Sequence, residues 1–229
     1  MENPHRQLRM IMDTCTALRS LRESFPNLVG RFHAHLTVRV DPENIEGLRA
    51  VCQDRRVKLT IIDLENTEGR QQTDVMTTSY FLDKSHAAVT RIVDHLIELA
   101  DALDASGYSV IRAKLEHEST PSVETYSREQ YHEVHIKLRI PTPEFDAARI
   151  RLGELGSELG FVPSRNPLER RPEFTTQFVN LRIYEGDLSS ADGRVAAIVQ
   201  RVGDEFEVIE VKRETTLFDT HQALDQWWM

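Results

Sequence analysis

Phe32-His33-Ala34-His35-Leu36-Thr37-Val38-Arg39-Val40 and Tyr131-His132-Glu133-Val134-His135-Ile136-Lys137-Leu138-Arg139-Ile140 carry one pattern twice, with His35 and His135 one hundred positions apart. Each stretch alternates apolar and polar residues. Successive side chains of a strand point to opposite faces, so this period of two is the signature of a half-buried strand. Leu36, Val38 and Val40 then share one face, and His33, His35, Thr37 and Arg39 the other. In the second stretch Ile136, Leu138 and Ile140 oppose His135, Lys137 and Arg139. A chain that repeats such a strand at this interval is expected to use one folding unit twice.

The flanking residues extend the repeat. Leu8, Ile11, Met12, Cys15, Leu18 and Leu21 have helical spacing, and Pro26 and Gly30 end that helix before the first histidine strand. Asp41-Pro42-Glu43 reads as an N-cap with proline in the first turn of a helix carrying Ile45, Leu48, Val51 and Cys52. Strands are expected at 58–64 and 72–81, joined by a polar turn at 65–71. Ser85 is placed to cap a helix over 86–104, and Gly107 to close it. A strand over 108–118 completes the order β-α-β-β-α-β. In the second half the expected elements are strand 134–140, helix 144–159 closed by Gly160, a short strand near Phe161, a basic loop Pro163–Pro172, strand 175–184, helix 189–202 and strand 205–214. The expected fold class is therefore α+β, a tandem duplication of ferredoxin-like lobes with an N-terminal helix. Its expected boundaries are 1–30 for the entry helix, 31–118 for the first lobe, 119–130 for a linker, and 131–229 for the second lobe and a tail in which Trp227 and Trp228 pack back on the protein.

Composition narrows the function classes. The chain has 229 residues, 40% hydrophobic and 28% charged, with a formal net charge of −9. No apolar run approaches the length of a membrane span and no apolar signal core follows the N-terminus, so a cytoplasmic protein without a membrane partner is expected. The net negative charge and the lack of any block of five basic residues disfavour duplex DNA as a partner. Cys15 and Cys52 suggest neither a disulfide framework nor a zinc site. No Gly-rich phosphate loop, dinucleotide fingerprint or nucleophile elbow is present, and no cofactor is expected.

If the apolar halves of the strands face the helices, the opposite faces collect His33, His35, Thr37, Arg39, Thr60, Arg112, Lys114, Glu116 and Glu118 in the first half. The second half collects His135, Lys137, Arg139, Asn180, Arg182, Glu210, Lys212 and Glu214. His35-Leu36-Thr37-Val38 resembles the His-x-Thr/Ser-hydrophobic motif of the two-histidine phosphoesterases, the superfamily that includes 2′,3′-cyclic phosphodiesterases. His135-Ile136-Lys137-Leu138 stands in the place of the second motif, with Lys137 where Thr or Ser belongs. The resemblance implies a phosphorylated small molecule or nucleotide held in a cleft between two lobes. It also implies His35 and His135 as base and acid in phosphodiester hydrolysis, with Thr37 and Lys137 beside the phosphate. Arg39, Arg112, Lys114, Arg139, Arg182 and Lys212 would offset its charge. As an alternative, Lys137 also fits a non-catalytic ligand-binding or interaction protein that has lost the chemistry. A third reading gathers His33, His35, His132 and His135 around a metal ion, although His132 and His135, three apart, belong on opposite strand faces. The charge alternation over 110–118 and 206–214 resembles that of the triphosphate tunnel enzymes, whose N-terminal Glu-x-Glu-x-Lys signature is not in this chain.

Overall fold

The computed structural model describes residues 16–19, 28–65, 71–85, 87–118, 131–184, 188–222 and 224. Between Gly30 and Asp219 the described residues form eight strands and four α-helices, in the same order in each half. The first half contains β1 (Gly30–Arg39), α1 (Ile45–Asp54), β2 (Lys58–Glu65), β3 (Gln71–Asp83), α2 (Ala88–Ala105) and β4 (Ser109–Glu118). The second contains β5 (Tyr131–Pro141), α3 (Phe145–Leu159), β6 (Val162–Arg170), β7 (Phe174–Ile183), α4 (Leu188–Gly203) and β8 (Glu207–Asp219).

The sheet corrects the expected fold class. Two open ferredoxin-like sheets would each expose edge strands. Instead the eight strands form one closed barrel in the hydrogen-bonded order β1-β3-β2-β6-β7-β5-β8-β4. An open edge presents a row of unpaired N–H and C=O groups, and closure removes it. The β2–β6 ladder is short, pairing Asp63 with Arg165 and Leu64 with Ser164. Pro163 and Pro167 lie in β6, and proline cannot donate to a ladder. The stretch 163–172, expected as a loop, is thus mostly strand.

Contacts divide the chain into two compact units. The first comprises Met1–Thr60, Val75–His117 and Leu217–Leu224. The second comprises Ile61–Asp74, Glu118–Thr216 and Asp225–Met229. In the first, β1 lies between β3 and β4, with His35 opposite Thr78 and Lys114. In the second, β5 lies between β7 and β8, with His135 opposite Asn180 and Lys212. Both central strands slip register at the same place, between Thr37 and Val38 and between Lys137 and Leu138. Each slip is a bulge: one extra residue, Ile111 or Ile209, enters the neighbouring strand.

Each unit buries one face of its sheet. Phe32, Ala34, Leu36 and Val38 are buried, as are Val89, Ile92, Val93, Leu96, Leu99 and Leu103 at helical spacing on α2. In the second unit Val134, Ile136, Leu138 and Ile140 share one core with Leu152 and Leu155 of α3 and with Val195, Ile198 and Val202 of α4. The odd-numbered residues of β5 therefore face away from those helices. Gly107 and Gly160 follow α2 and α3 with φ of 83° and 71°, the left-handed conformation that glycine adopts without steric cost.

Details at helix starts differ from expectation. The Asp41 side chain makes no capping hydrogen bond; its carbonyl accepts from the Asn44 amide at 2.8 Å in a 3-10 turn over Pro42–Asn44 that precedes α1. Ser85 does accept a hydrogen bond from the Ala87 amide, at 3.3 Å, but α2 begins only at Ala88. Strand β8 continues to Asp219, so the expected tail begins as strand. Of the expected N-terminal helix, residues 16–19 are helical. The remainder of that helix, the linker 119–130, most of the 65–71 turn, Cys15, Trp227 and Trp228 lie outside the described residues. Among the described residues no helix is long and apolar enough to cross a membrane.

Candidate functional site

In the first unit a hydrogen-bonded chain crosses four strands. Thr60 Oγ1 lies 2.9 Å from Thr78 Oγ1, and Thr78 Oγ1 lies 3.1 Å from His35 Nδ1. His35 Nε2 then meets Glu116 Oε2 at 2.9 Å, and Lys114 Nζ meets Glu116 Oε1 at 2.5 Å. The register explains the set: His35 stands directly opposite both Thr78 and Lys114, and Glu116 is two residues beyond Lys114 on the same face. A carboxylate only accepts, so His35 donates from Nε2 and turns Nδ1 toward a hydroxyl. Both nitrogens are engaged. Thr37 is on the same face but 3% exposed, opposite Met76 and Arg112.

The second unit builds the related set differently. Asn180 donates from Nδ2 to the Val162 carbonyl at 3.0 Å and to Ser164 Oγ at 2.8 Å. That fixes the amide orientation and leaves Oδ1 facing His135 Nδ1 at 2.8 Å, so His135 donates from Nδ1. Its Nε2 lies 3.4 Å from a Glu133 oxygen and 3.6 Å from a Glu214 oxygen. Arg182 holds Glu133 at 2.7 Å, and Lys212 holds Glu214 at 2.9 Å. Lys137 is held loosely, 3.8 Å from Glu169 and 5.7 Å from the Phe178 ring centroid.

The remaining sequence candidates scatter. Arg112 is buried against Asp219, with Nε 2.8 Å from a carboxylate oxygen. Burial alone would raise the Asp219 carboxyl; the Arg112 hydrogen bonds, the charges of Arg112 and Lys114 and the His221 amide outweigh it and hold the group below its ordinary value. Arg139 is paired with Glu207 at 2.8 Å and stacks 5.0 Å from the Phe174 ring centroid. Arg182 lies 4.9 Å from the Tyr131 ring centroid, and Arg39 is exposed at the end of β1. His33 packs its ring edge-on to Tyr80 at 4.8 Å. His132 is buried and meets Thr215 Oγ1 at 2.9 Å, on the face opposite His135. The four-histidine metal reading therefore fails on β5 itself, where alternation separates His132 from His135.

The hydrolase reading is corrected on the same geometry. An imidazole that relays protons to a substrate needs a nitrogen turned toward it. His35 spends both nitrogens within its own unit, and Asn180 ties down one nitrogen of His135 while the other faces two carboxylates. Thr37, the motif residue meant to hold phosphate, is buried. Cys52 offers no alternative nucleophile: burial pushes its thiol up to about 11, against a smaller opposing effect of Arg49.

Sequence reasoning missed Thr78 and Asp219. Thr78 was within reach, since it lies at the face position of β3 opposite His35 once the strand pairing is known. Asp219 meets Arg112 across 107 positions of sequence and had no local signal.

No protein-family model and no curated protein matches the chain. Several solved structures have a distant likeness. A candidate monooxygenase from Fusobacterium nucleatum subsp. nucleatum is 6% identical, with 83% of this chain and 94% of that one covered and a TM-score of 0.33. An anthrone oxidase-like protein is 12% identical over 85% and 94%, with a TM-score of 0.31. A mutant chlorite dismutase from Candidatus Nitrospira defluvii is 10% identical over 91% and 100%, with a TM-score of 0.29. None of the three is described as a hydrolase, and likeness at this level carries no argument about the activity of this chain.

Proposed function

We propose that the chain is a non-catalytic binding protein for a phosphorylated small molecule, such as a nucleotide, whose phosphate is taken up on the face of the second unit that carries His135, Lys137 and Lys212. The observation that supports this reading is the shared, partial exposure of those three side chains, 26%, 29% and 27% respectively. His135 is directly opposite Lys212, and Lys137 is two residues further along β5 on the same face. Lysine binds phosphate as a point charge with three donors. The 3.8 Å contact of Lys137 with Glu169 is weak enough for a phosphate oxygen to displace. Glu133 and Glu214 are already engaged by Arg182 and Lys212, which lowers the repulsion that a dianion would meet. A cytoplasmic setting suits this reading, with Cys52 buried as a free thiol.

Isothermal titration of the full chain with pyrophosphate, nucleoside monophosphates and 2′,3′-cyclic nucleotides tests it. Binding that weakens on raising salt and on Lys137→Ala is the expected result. Absence of binding to all of these probes, or binding indifferent to both Lys137→Ala and Lys212→Ala, would refute it.

A further inference from the structure

The second unit also contains a cavity of about 460 Å³ on the other side of its sheet. Gln177 on its wall shares strand parity with the core residues Val179 and Leu181, whereas Asn180 and His135 have the opposite parity. The volume is within the roughly 300–1,000 Å³ of small-molecule sites. Its lining carries two cations, Arg149 and Arg165, and two carboxylates, Asp63 and Asp146. Arg165 donates from Nε to Asp63 at 3.0 Å and lies 5.7 Å from the Phe145 ring centroid, which braces one side of the cavity. Gln177, only 3% exposed, adds a neutral amide, and Phe145 adds an apolar wall.

We propose that this cavity binds a small zwitterion of the α-amino-acid type, with an apolar or aromatic side chain. The balance of charge selects this class. A phosphate dianion would meet Asp63 and Asp146 as well as the two arginines, and a wholly apolar ligand would desolvate all four charges without replacing their water. Arg165 and Asp63 stay paired with each other, and a molecule with separate carboxylate and ammonium groups matches the other two charges: its carboxylate meets Arg149 in the planar two-point geometry guanidinium favours, and its ammonium faces the exposed Asp146. Its side chain then rests against Phe145, and the Gln177 amide accepts or donates as the ligand requires.

The test is isothermal titration of the full chain with the proteinogenic L-amino acids singly, and with the N-acetyl and amide derivatives of any that binds. At least one apolar or aromatic amino acid is expected to bind at millimolar concentration or below. Both derivatives, each lacking one charge, should bind far more weakly. Arg149→Ala should weaken binding about tenfold or more, the usual scale for a lost charge-assisted hydrogen bond. If that variant fails to fold, Asp146→Asn reads the ammonium partner at an exposed position. Three results would overturn the proposal: no amino acid binding at millimolar concentration, derivatives that bind as well as their parents, or a nucleoside monophosphate bound here in a manner that Arg149→Ala abolishes.

Discussion

His135 Nδ1 lies 2.8 Å from Asn180 Oδ1, and because Asn180 spends its amide hydrogens on the Val162 carbonyl and Ser164, the imidazole must be the donor. At the corresponding strand position His35 donates from its other nitrogen, Nε2, to Glu116. Two histidines in matching strands therefore donate from different nitrogens to their nearest partners, Nδ1 to an amide oxygen at His135 and Nε2 to a carboxylate at His35. Long-range proton–nitrogen correlation spectra of imidazole-labelled protein should find a proton on His135 Nδ1 and a proton on His35 Nε2. A bare Nδ1 at His135 or a bare Nε2 at His35 would contradict the hydrogen-bond assignment. Asn180→Leu should release His135 and leave His35 unchanged.

Arg112 and Asp219 form a buried ion pair, with side chains 5% and 0% exposed. Removing one partner of such a pair leaves an uncompensated charge, at about 3–5 kcal/mol. Asp219→Asn should destabilise the chain by that order in chemical denaturation, while Arg112→Met with Asp219→Leu should recover most of the loss. The folded carboxyl is held below its ordinary value of 3.8, so its contribution is present above that pH and is lost as pH falls toward the folded value. The Asp219→Asn variant should accordingly have a flatter stability profile on acidification below 3.8.

His95 on α2 gives a second pH signature. Its Nε2 lies 2.9 Å from Ser79 Oγ, and its ring meets Phe81 edge-on at 5.2 Å. Burial holds its pKa below 6.5, against a smaller opposing effect of Glu98. The unfolded chain then binds the proton more readily, so stability is full above 6.5 and declines as pH drops below it toward the folded value. Replacing His95 with Gln should remove that part of the decline, seen as melting temperatures that change less between neutral pH and pH values just below 6.5. An unchanged profile would mean that His95 takes up its proton equally in both states.

These side-chain faces were legible because alternation is a local property. The buried Leu36 and Val38 and the polar His33, His35 and Thr37 are assigned correctly from period two alone. Closure of the sheet was not legible, because the pairing of Asp63 with Arg165 and Leu64 with Ser164 is made by backbone groups, which every residue but proline supplies. The basic run 163–172 looked like a loop for the same reason: its prolines and polar residues hide a strand that tertiary pairing stabilises. The internal partners of the histidines were only partly legible. Glu116, Asn180 and Glu214 could be placed on the right face, yet a face assignment does not reveal that they consume the imidazole nitrogens.

Lys137 is where the two histidine strands differ most, and changing it separates binding from catalysis. Lys137→Thr restores the residue type present at Thr37 but removes a charge that is 29% exposed beside His135 and Lys212. If phosphate rests on that charge, the variant should bind pyrophosphate about tenfold more weakly, the usual scale for a charge-assisted hydrogen bond, with a smaller salt dependence. Lys137→Arg should retain much of the affinity, since the charge is kept although the donor geometry changes. Neither variant should turn over 2′,3′-cyclic nucleotides, because Asn180 still holds His135 Nδ1 and Glu116 still holds His35 Nε2. Hydrolysis by Lys137→Thr would show that these hydrogen bonds open during turnover. Unaltered pyrophosphate affinity in that variant would remove Lys137 from the phosphate site.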